Sequence, residues 1–128
     1  MTTQTIIILT LIGISAGILS GFVGIGGGIV IVPALIYFLN FTQHQAQGTS
    51  LFVLVLPVVA LAMMNYWKTD NVNWKFGLVI ASTFFIGGYF GSKLALKLSP
   101  GMVKFVFGLI MAYVSFKMIV SGYNSIQK

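Results

Sequence analysis

Four glycines fall within five residues of this sequence, in the segment Gly24-Ile25-Gly26-Gly27-Gly28. Each glycine costs a helix about 1 kcal/mol relative to alanine, so the segment predicts a helix break. A new helix would begin near Ile29, and the first main-chain N–H groups of a helix have no acceptor within it. Those N–H groups and the helix dipole attract anions. A simple kink that binds no ligand is the alternative interpretation.

Two glycine-rich motifs of soluble proteins do not fit this segment. A dinucleotide-binding fingerprint needs glycine at position 29, which is Ile29. A P-loop needs Lys and then Ser or Thr after its last glycine, where Ile29 and Val30 stand. The pattern instead matches the half-helix starts that transporters direct towards anionic substrates.

A second polar cluster, Gln43-His44-Gln45-Ala46-Gln47-Gly48-Thr49-Ser50, precedes a long apolar segment. Thr49 and Ser50 stand where helix N-caps stand, which is one interpretation. The other is that this second helix start faces the glycine break, so that both share one ligand. His44 is expected at a membrane interface rather than as a proton carrier.

No Lys, Arg, Asp or Glu lies between Met1 and Trp67, and Asp70 is the only acidic side chain. An anion in this half of the chain would therefore be held by main-chain amides, hydroxyls and carboxamides. The predicted substrate-binding residues are Ser20, Gly24, Gly26, Gly27, Gly28, Gln47, Thr49 and Ser50.

Other chemistry is poorly represented in the sequence. There is no Cys, no pairing of a nucleophile with a base, and no cluster of metal ligands, so we predict no catalytic residue, metal or cofactor. The seven lysines are scattered and Arg is absent, which argues against nucleic-acid binding. We expect that the protein is not an enzyme.

The composition predicts a membrane protein. Hydrophobic residues make up 58% of the chain and charged residues 6%, with a mean hydropathy of +1.02. Soluble domains carry about a quarter charged residues. Eight charged side chains cannot cover a domain of this size, so we expect one multi-pass transmembrane domain over residues 1–128 in a cell membrane.

The apolar segments predict an all-α protein with four long transmembrane helices and one short, glycine-broken helix. Pro57 should kink the second long helix, and Pro100 should begin the last one. The predicted long helices are Ile6–Val23, Thr49–Tyr66, Lys75–Leu98 and Met102–Val120, with a short or re-entrant helix at Ile29–Leu39. Polar segments separate or follow them at Asn40–Gly48, Trp67–Trp74 and Ser121–Lys128.

Small residues recur at intervals of four, which places them on one helix face. Such ladders allow two membrane helices to approach closely. The predicted packing positions are Gly13, Gly17, Gly21, Gly87 and Gly91.

The lysines give almost no orientation bias. Four of them flank one side (68, 75, 117 and 128) and three flank the other (93, 97 and 104). Because lysine bias sets membrane topology, a chain this balanced is expected to insert in both orientations.

Several motifs, in order and with matching spacing, resemble the TauE/SafE sulfite-exporter family. The first is Gly17-Ile-Leu-Ser20-Gly21-Phe-Val-Gly24-Ile-Gly26-Gly27-Gly28-Ile-Val-Ile-Val-Pro33-Ala-Leu35. The others are Gln45-Ala46-x-Gly48-Thr49-Ser50, Asn71-Val72-Asn73-Trp74 and Gly87-Gly88-x-x-Gly91-Ser-Lys-Leu. Asn73 departs from the pattern, since the family often has an acidic residue there.

The resemblance implies a permease for small sulfur-containing anions such as sulfite or organosulfonates. Family members are usually about twice this length and consist of two similar halves, so this chain resembles one repeat. A second copy would then complete the transporter as a homodimer, and the lysine balance favours an antiparallel one. A heterodimer with a paralogous half and a non-transporting membrane scaffold are the alternatives.

Overall fold

The computed structural model describes residues 1–128 and contains six α-helices and no β-strand. Three helices, α1, α5 and α6, are each long and apolar enough to cross a membrane, and a fourth span exists only if α3 and α4 form one. Of the four predicted long helices, three are thus continuous and one is broken. The helices are α1 (Thr3–Val23), α2 (Gly28–Leu39), α3 (Gln43–Val55), α4 (Ala60–Lys68), α5 (Trp74–Lys97) and α6 (Pro100–Ile126).

The predicted glycine break separates α1 from α2. Gly24 caps α1 through its N–H, which donates to the Ser20 carbonyl oxygen at 2.7 Å. Gly24, Gly26 and Gly27 have φ angles of 79°, 81° and 79°, a left-handed conformation that glycine adopts without steric cost. The α2 helix has 12 residues, or about 18 Å, and cannot cross a hydrocarbon core of about 30 Å. The short helix is therefore confirmed.

The start of α3 differs from the prediction. The helix begins at Gln43, so most of the polar segment Asn40–Gly48 is helical and Thr49 and Ser50 are not N-caps. Thr42 is the N-cap: its hydroxyl accepts from the Gln45 N–H at 3.2 Å, and the Gln45 side chain accepts from the Thr42 N–H at 3.0 Å. This capping box stabilises a helix start in a polar segment.

Pro57 does more than kink the second long helix. The α3 helix ends at Val55, α4 begins at Ala60, and the two are bent by 52°. Proline has no N–H to donate and its ring obstructs the preceding turn, so the helix stops before it. Residues 43–68 therefore form either one broken span or a re-entrant pair.

The last two helices meet at a short turn. Ser99 caps α6 by accepting from the Met102 N–H at 3.2 Å, and Pro100 is the first helical residue, as predicted. The α6 helix continues to Ile126, past the predicted end at Val120. Ser121–Ile126 contains no proline and only one glycine, Gly122, so nothing in it ends the helix.

Two groups of contacts define the two ends of the bundle. At the His44 side, His44 Nε2 lies 3.2 Å from the Leu98 carbonyl oxygen, and Lys104 Nζ lies 5.8 Å from the centre of the Tyr37 ring. At the Tyr66 side, the Tyr66 hydroxyl donates to the Gly21 carbonyl oxygen at 2.8 Å. The ends of α1 and α4 therefore lie on the Tyr66 side, whereas α5 ends and α6 begins on the His44 side.

The buried core is confined to the first half of the chain. Ten of 128 residues are buried, and the apolar cluster among them joins α1, α2 and α3 through Ile12, Ala16, Ile31, Val32, Leu35 and Ala46. No residue of α5 is buried, and Val103 is the one buried residue of α6. Most of the surface of α5 and α6 must therefore contact lipid or another polypeptide.

Candidate functional site

Five consecutive main-chain N–H groups are unpaired at the glycine break. The N–H groups of Val30 and Ile31 both donate to the Gly27 carbonyl oxygen at 3.0 Å. Those of residues 25–29 make no hydrogen bond to main-chain or side-chain acceptors. These donors and the positive end of the α2 dipole lie at one point of the fold, which is an arrangement suited to a small anion.

Ser50 of α3 lies directly against the start of α2. A Cβ placed on Gly28 would lie 3.3 Å from Ser50 Oγ, so the hydroxyl occupies the space that a side chain at position 28 would need. Ser50 is 4% exposed. The structure thus brings two predicted binding residues together, through the middle of α3 rather than through its start.

The second helix break lies beside the first. A Cβ on Gly26 would lie 3.7 Å from Leu54 Cδ2, one residue before α3 ends. Gly27 is buried against α1, and a Cβ there would lie 3.5 Å from the Ala16 carbonyl oxygen. Residues 24–27 and 56–59 therefore place two irregular main-chain segments next to each other, which membrane proteins tolerate only inside protein or beside a water-filled cavity.

Ser20 borders a small cavity on the α1 side of the break. The cavity has a volume of about 90 Å³ and is otherwise lined by Leu19, Val23, Ile25, Gly27, Ile29 and Val30. A water molecule needs roughly 10–15 Å³ of cavity volume, so this space has the scale of a small solute. The surface exposed within this cavity is apolar.

The other predicted polar residues are less central. Thr49 is exposed, and its hydroxyl donates to the Gln45 carbonyl oxygen at 2.7 Å on its own helix. Gln47 is half-buried. His44 lies on the His44 side of the bundle. Its Nε2 donates to the Leu98 carbonyl oxygen, since a carbonyl oxygen can only accept. None of these three contacts the glycine break in the way Ser50 does.

Only one of the five predicted packing glycines contacts another helix of the same chain. A Cβ on Gly21 would lie 3.7 Å from Ala62 Cβ, so this position packs against α4. Gly13, Gly17, Gly87 and Gly91 have no neighbouring atom within 4 Å. These four positions remain open to lipid or to another chain.

Two features of the site had readable signals that the sequence interpretation missed. The spacing Thr42-x-x-Gln45 is that of a capping box and predicts a helix from Gln43. Once that start is known, Gln43, Ala46 and Ser50 fall on one face of α3, and all three are buried. Contact between Leu54 and Gly26 is tertiary and had no local signal.

The comparisons with known proteins agree with a membrane transporter. The model of the family described as sulfite exporter TauE/SafE matches residues 2–125. The chain belongs to the TauE/SafE family. The motif around Gly24–Gly28 that resembled this family is thus, in the folded chain, the break with unpaired N–H groups.

Several relatives of this TauE/SafE chain carry the name "probable membrane transporter protein". One from Xylella fastidiosa (strain Temecula1) is 36% identical over 128 residues, which cover 98% of this chain and 46% of the relative. One from Haemophilus influenzae is 32% identical, covering 91% of this chain and 46% of the relative. YunE of Bacillus subtilis is also 32% identical, covering 93% and 46%. No solved structure matches.

The TauE/SafE chain therefore spans about half the length of the curated relatives it matches. Membership of a membrane transporter family and several apolar helices together establish a multi-pass membrane protein. No group of three or more His, Cys, Asp or Glu side chains lies close enough to hold a metal ion.

Proposed function

We propose that two copies of this chain form a permease in the cell membrane for small sulfur-containing anions such as sulfite or organosulfonates. The observation that carries the proposal is the row of five unpaired N–H groups at residues 25–29, beside Ser50. In surroundings of low dielectric, preoriented N–H donors interact with an anion more strongly than they would in water. The description of the matched family as a sulfite exporter supports this substrate class.

A site without charged side chains suits transport. Each hydrogen bond to a charged group contributes about 1.5–3 kcal/mol, so a few such donors bind an anion reversibly. A buried Lys or Arg would add a strong attraction that slows release. The absence of any Lys or Arg before Lys68 thus supports passage rather than storage.

The second copy is proposed because the surfaces of α5 and α6 are almost entirely exposed in a single chain. The α5 and α6 helices contribute only Val103 to the buried residues, although both are long enough to cross the membrane. The relatives are about twice as long and have a further half available to pack there. A second copy of this chain is proposed to cover that surface.

Sulfite flux through proteoliposomes that contain only this chain tests the proposal. We expect flux from the wild type and about a tenfold loss in Gly28→Ala, equivalent to about 1.4 kcal/mol. The added methyl group would lie 3.3 Å from Ser50 Oγ, where it crowds the anion site. Gly28 is helical and its φ is not positive, so alanine is compatible with the main chain and favours the helix.

Gly122→Ala is the matched control, because that glycine also lies in a helix and has no neighbour within 4 Å. It should leave flux unchanged. Flux that appears only after a different half-size polypeptide is added would favour a heterodimer. A wild type that moves no anion with or without such a partner would favour a non-transporting scaffold.

The two copies are proposed to lie antiparallel. Inversion of the second copy would place its His44 side beside the Tyr66 side of the first copy. The balance of four lysines to three allows both insertions. Fusing reporters that are active on only one side of the membrane to Lys128 should give signal from both kinds of reporter. Signal from a single kind would contradict the antiparallel pair.

A further inference from the structure

Gln43 is a buried polar side chain that no part of the chain satisfies. It is 4% exposed, and its amide nitrogen Nε2 has no hydrogen-bond partner. Leaving such a donor unpaired costs free energy, and most buried polar groups in folded proteins are paired for that reason. An acceptor from outside the chain would pair this donor.

Gln43 and Ser50 lie on the same buried face of α3. Gln43, Ala46 and Ser50 are spaced by three and four residues and are the buried residues of this helix. Seven residues of helix place Gln43 about 10 Å from Ser50 along the axis. Gln43 lies at the His44 side, and Ser50 lies at the glycine break.

The end of α5 and the start of α6 contact the first turns of α3. The first turn of α3 is tied to the end of α5 by the hydrogen bond from His44 Nε2 to the Leu98 carbonyl oxygen. Val103, in the first turns of α6, is buried there, and α6 packs against α3. The rest of α5 and α6 adds no further buried residue.

We propose that Gln43 is a second anion-binding residue, which donates its amide N–H groups to a small oxyanion between the glycine break and the His44 side. Ser50 and the N–H groups at residues 25–29 bind the anion at one end, and Gln43 lies about 10 Å away on the same helix face, with the fully buried Ala46 between them. The inference rests on the proposed function and adds a residue that lies outside the predicted binding set. A bound oxyanion would also pair the buried Gln43 Nε2, which has no partner within the chain.

The variant Gln43→Met tests this inference, because methionine keeps the length of the side chain and removes both N–H donors. We expect the KM for sulfite flux in proteoliposomes to rise about tenfold, the scale of one hydrogen bond to a charged group. We also expect the Tm of the purified protein to rise, since an unpaired buried donor has been removed. Gln43→Asn retains an amide and should keep part of the affinity.

Gln45→Met is the matched control, with an opposite pattern. It removes the capping-box bond to the Thr42 N–H, so its Tm should fall while the KM stays unchanged. A Gln43→Met protein with unchanged KM overturns the inference, whichever way its Tm moves, and leaves the proposed function intact if the wild type transports sulfite. A wild type that moves no sulfite overturns the proposed function itself.

Discussion

Gly27→Val is expected to abolish anion flux while leaving membrane insertion intact. Gly27 has a φ of 79° and is buried at the N-cap of α2. A β-branched side chain at a positive φ is a steric outlier, so valine would force the turn into another conformation. The unpaired N–H groups of residues 25–29 would then be displaced. The loss should be at least about 100-fold, as when a preorganised oxyanion donor is removed.

The space around Gly27 allows a graded test of the same idea. A Cβ there would lie 3.5 Å from the Ala16 carbonyl oxygen and 3.6 Å from Ile31 Cδ1, which are ordinary contact distances. Alanine therefore fits sterically but still carries the strain of a left-handed φ, about 1–2 kcal/mol. We expect Gly27→Ala to retain more flux than Gly27→Val. Equal flux in the wild type and in Gly27→Val would contradict the proposed site.

Asn40→Val is the control for backbone strain. Asn40 ends α2 with a φ of 56°, so valine at this position imposes the same kind of strain at the opposite end of the same helix. It should lower stability and leave sulfite flux measurable. Size-exclusion chromatography of both variants in detergent separates a loss of transport from a loss of folding.

Local sequence signals predicted the elements of the fold better than their boundaries. The glycines at 24–28 and Pro57 break helices through main-chain chemistry that acts within a few residues, so both breaks were readable. The start of α3 was placed too late because Gln43–Gly48 has no apolar periodicity. Its capping box outweighs that polarity, and tertiary burial of Ala46 supports it.

The composition of the site was only partly predictable, because residues that share a helix do not share a face. Thr49 and Ser50 are neighbours in sequence, yet Ser50 is buried against Gly28 while Thr49 is exposed. A rotation of about 100° per residue separates them. Gln43 was missed for the same reason, since its face is defined only when the helix start is known. Contacts such as Gly26 with Leu54 depend on how α2 and α3 pack.

Gly87→Ile is expected to separate the two copies and to abolish sulfite flux. Thr83, Gly87, Gly91 and Ala95 form a ladder of small residues on one face of α5, and no atom of this chain lies within 4 Å of a Cβ on Gly87 or Gly91. Close backbone approach between membrane helices requires such a face. Isoleucine would hold the second copy away and leave the chain monomeric, with its anion site in an incomplete pathway.

Ser82→Ile is the matched control, because Ser82 is a small, exposed residue of the same helix whose hydroxyl bonds only to the Leu78 carbonyl oxygen of that helix. Five residues separate it from Gly87, which turns its side chain by about 140°, onto the face opposite the ladder. Cross-linking in the membrane and flux in proteoliposomes should therefore distinguish the two variants. If both remain dimeric and active, α5 does not pack through its small-residue face. If both lose the dimer, the interface extends beyond the ladder, and the specific role of Gly87 is wrong.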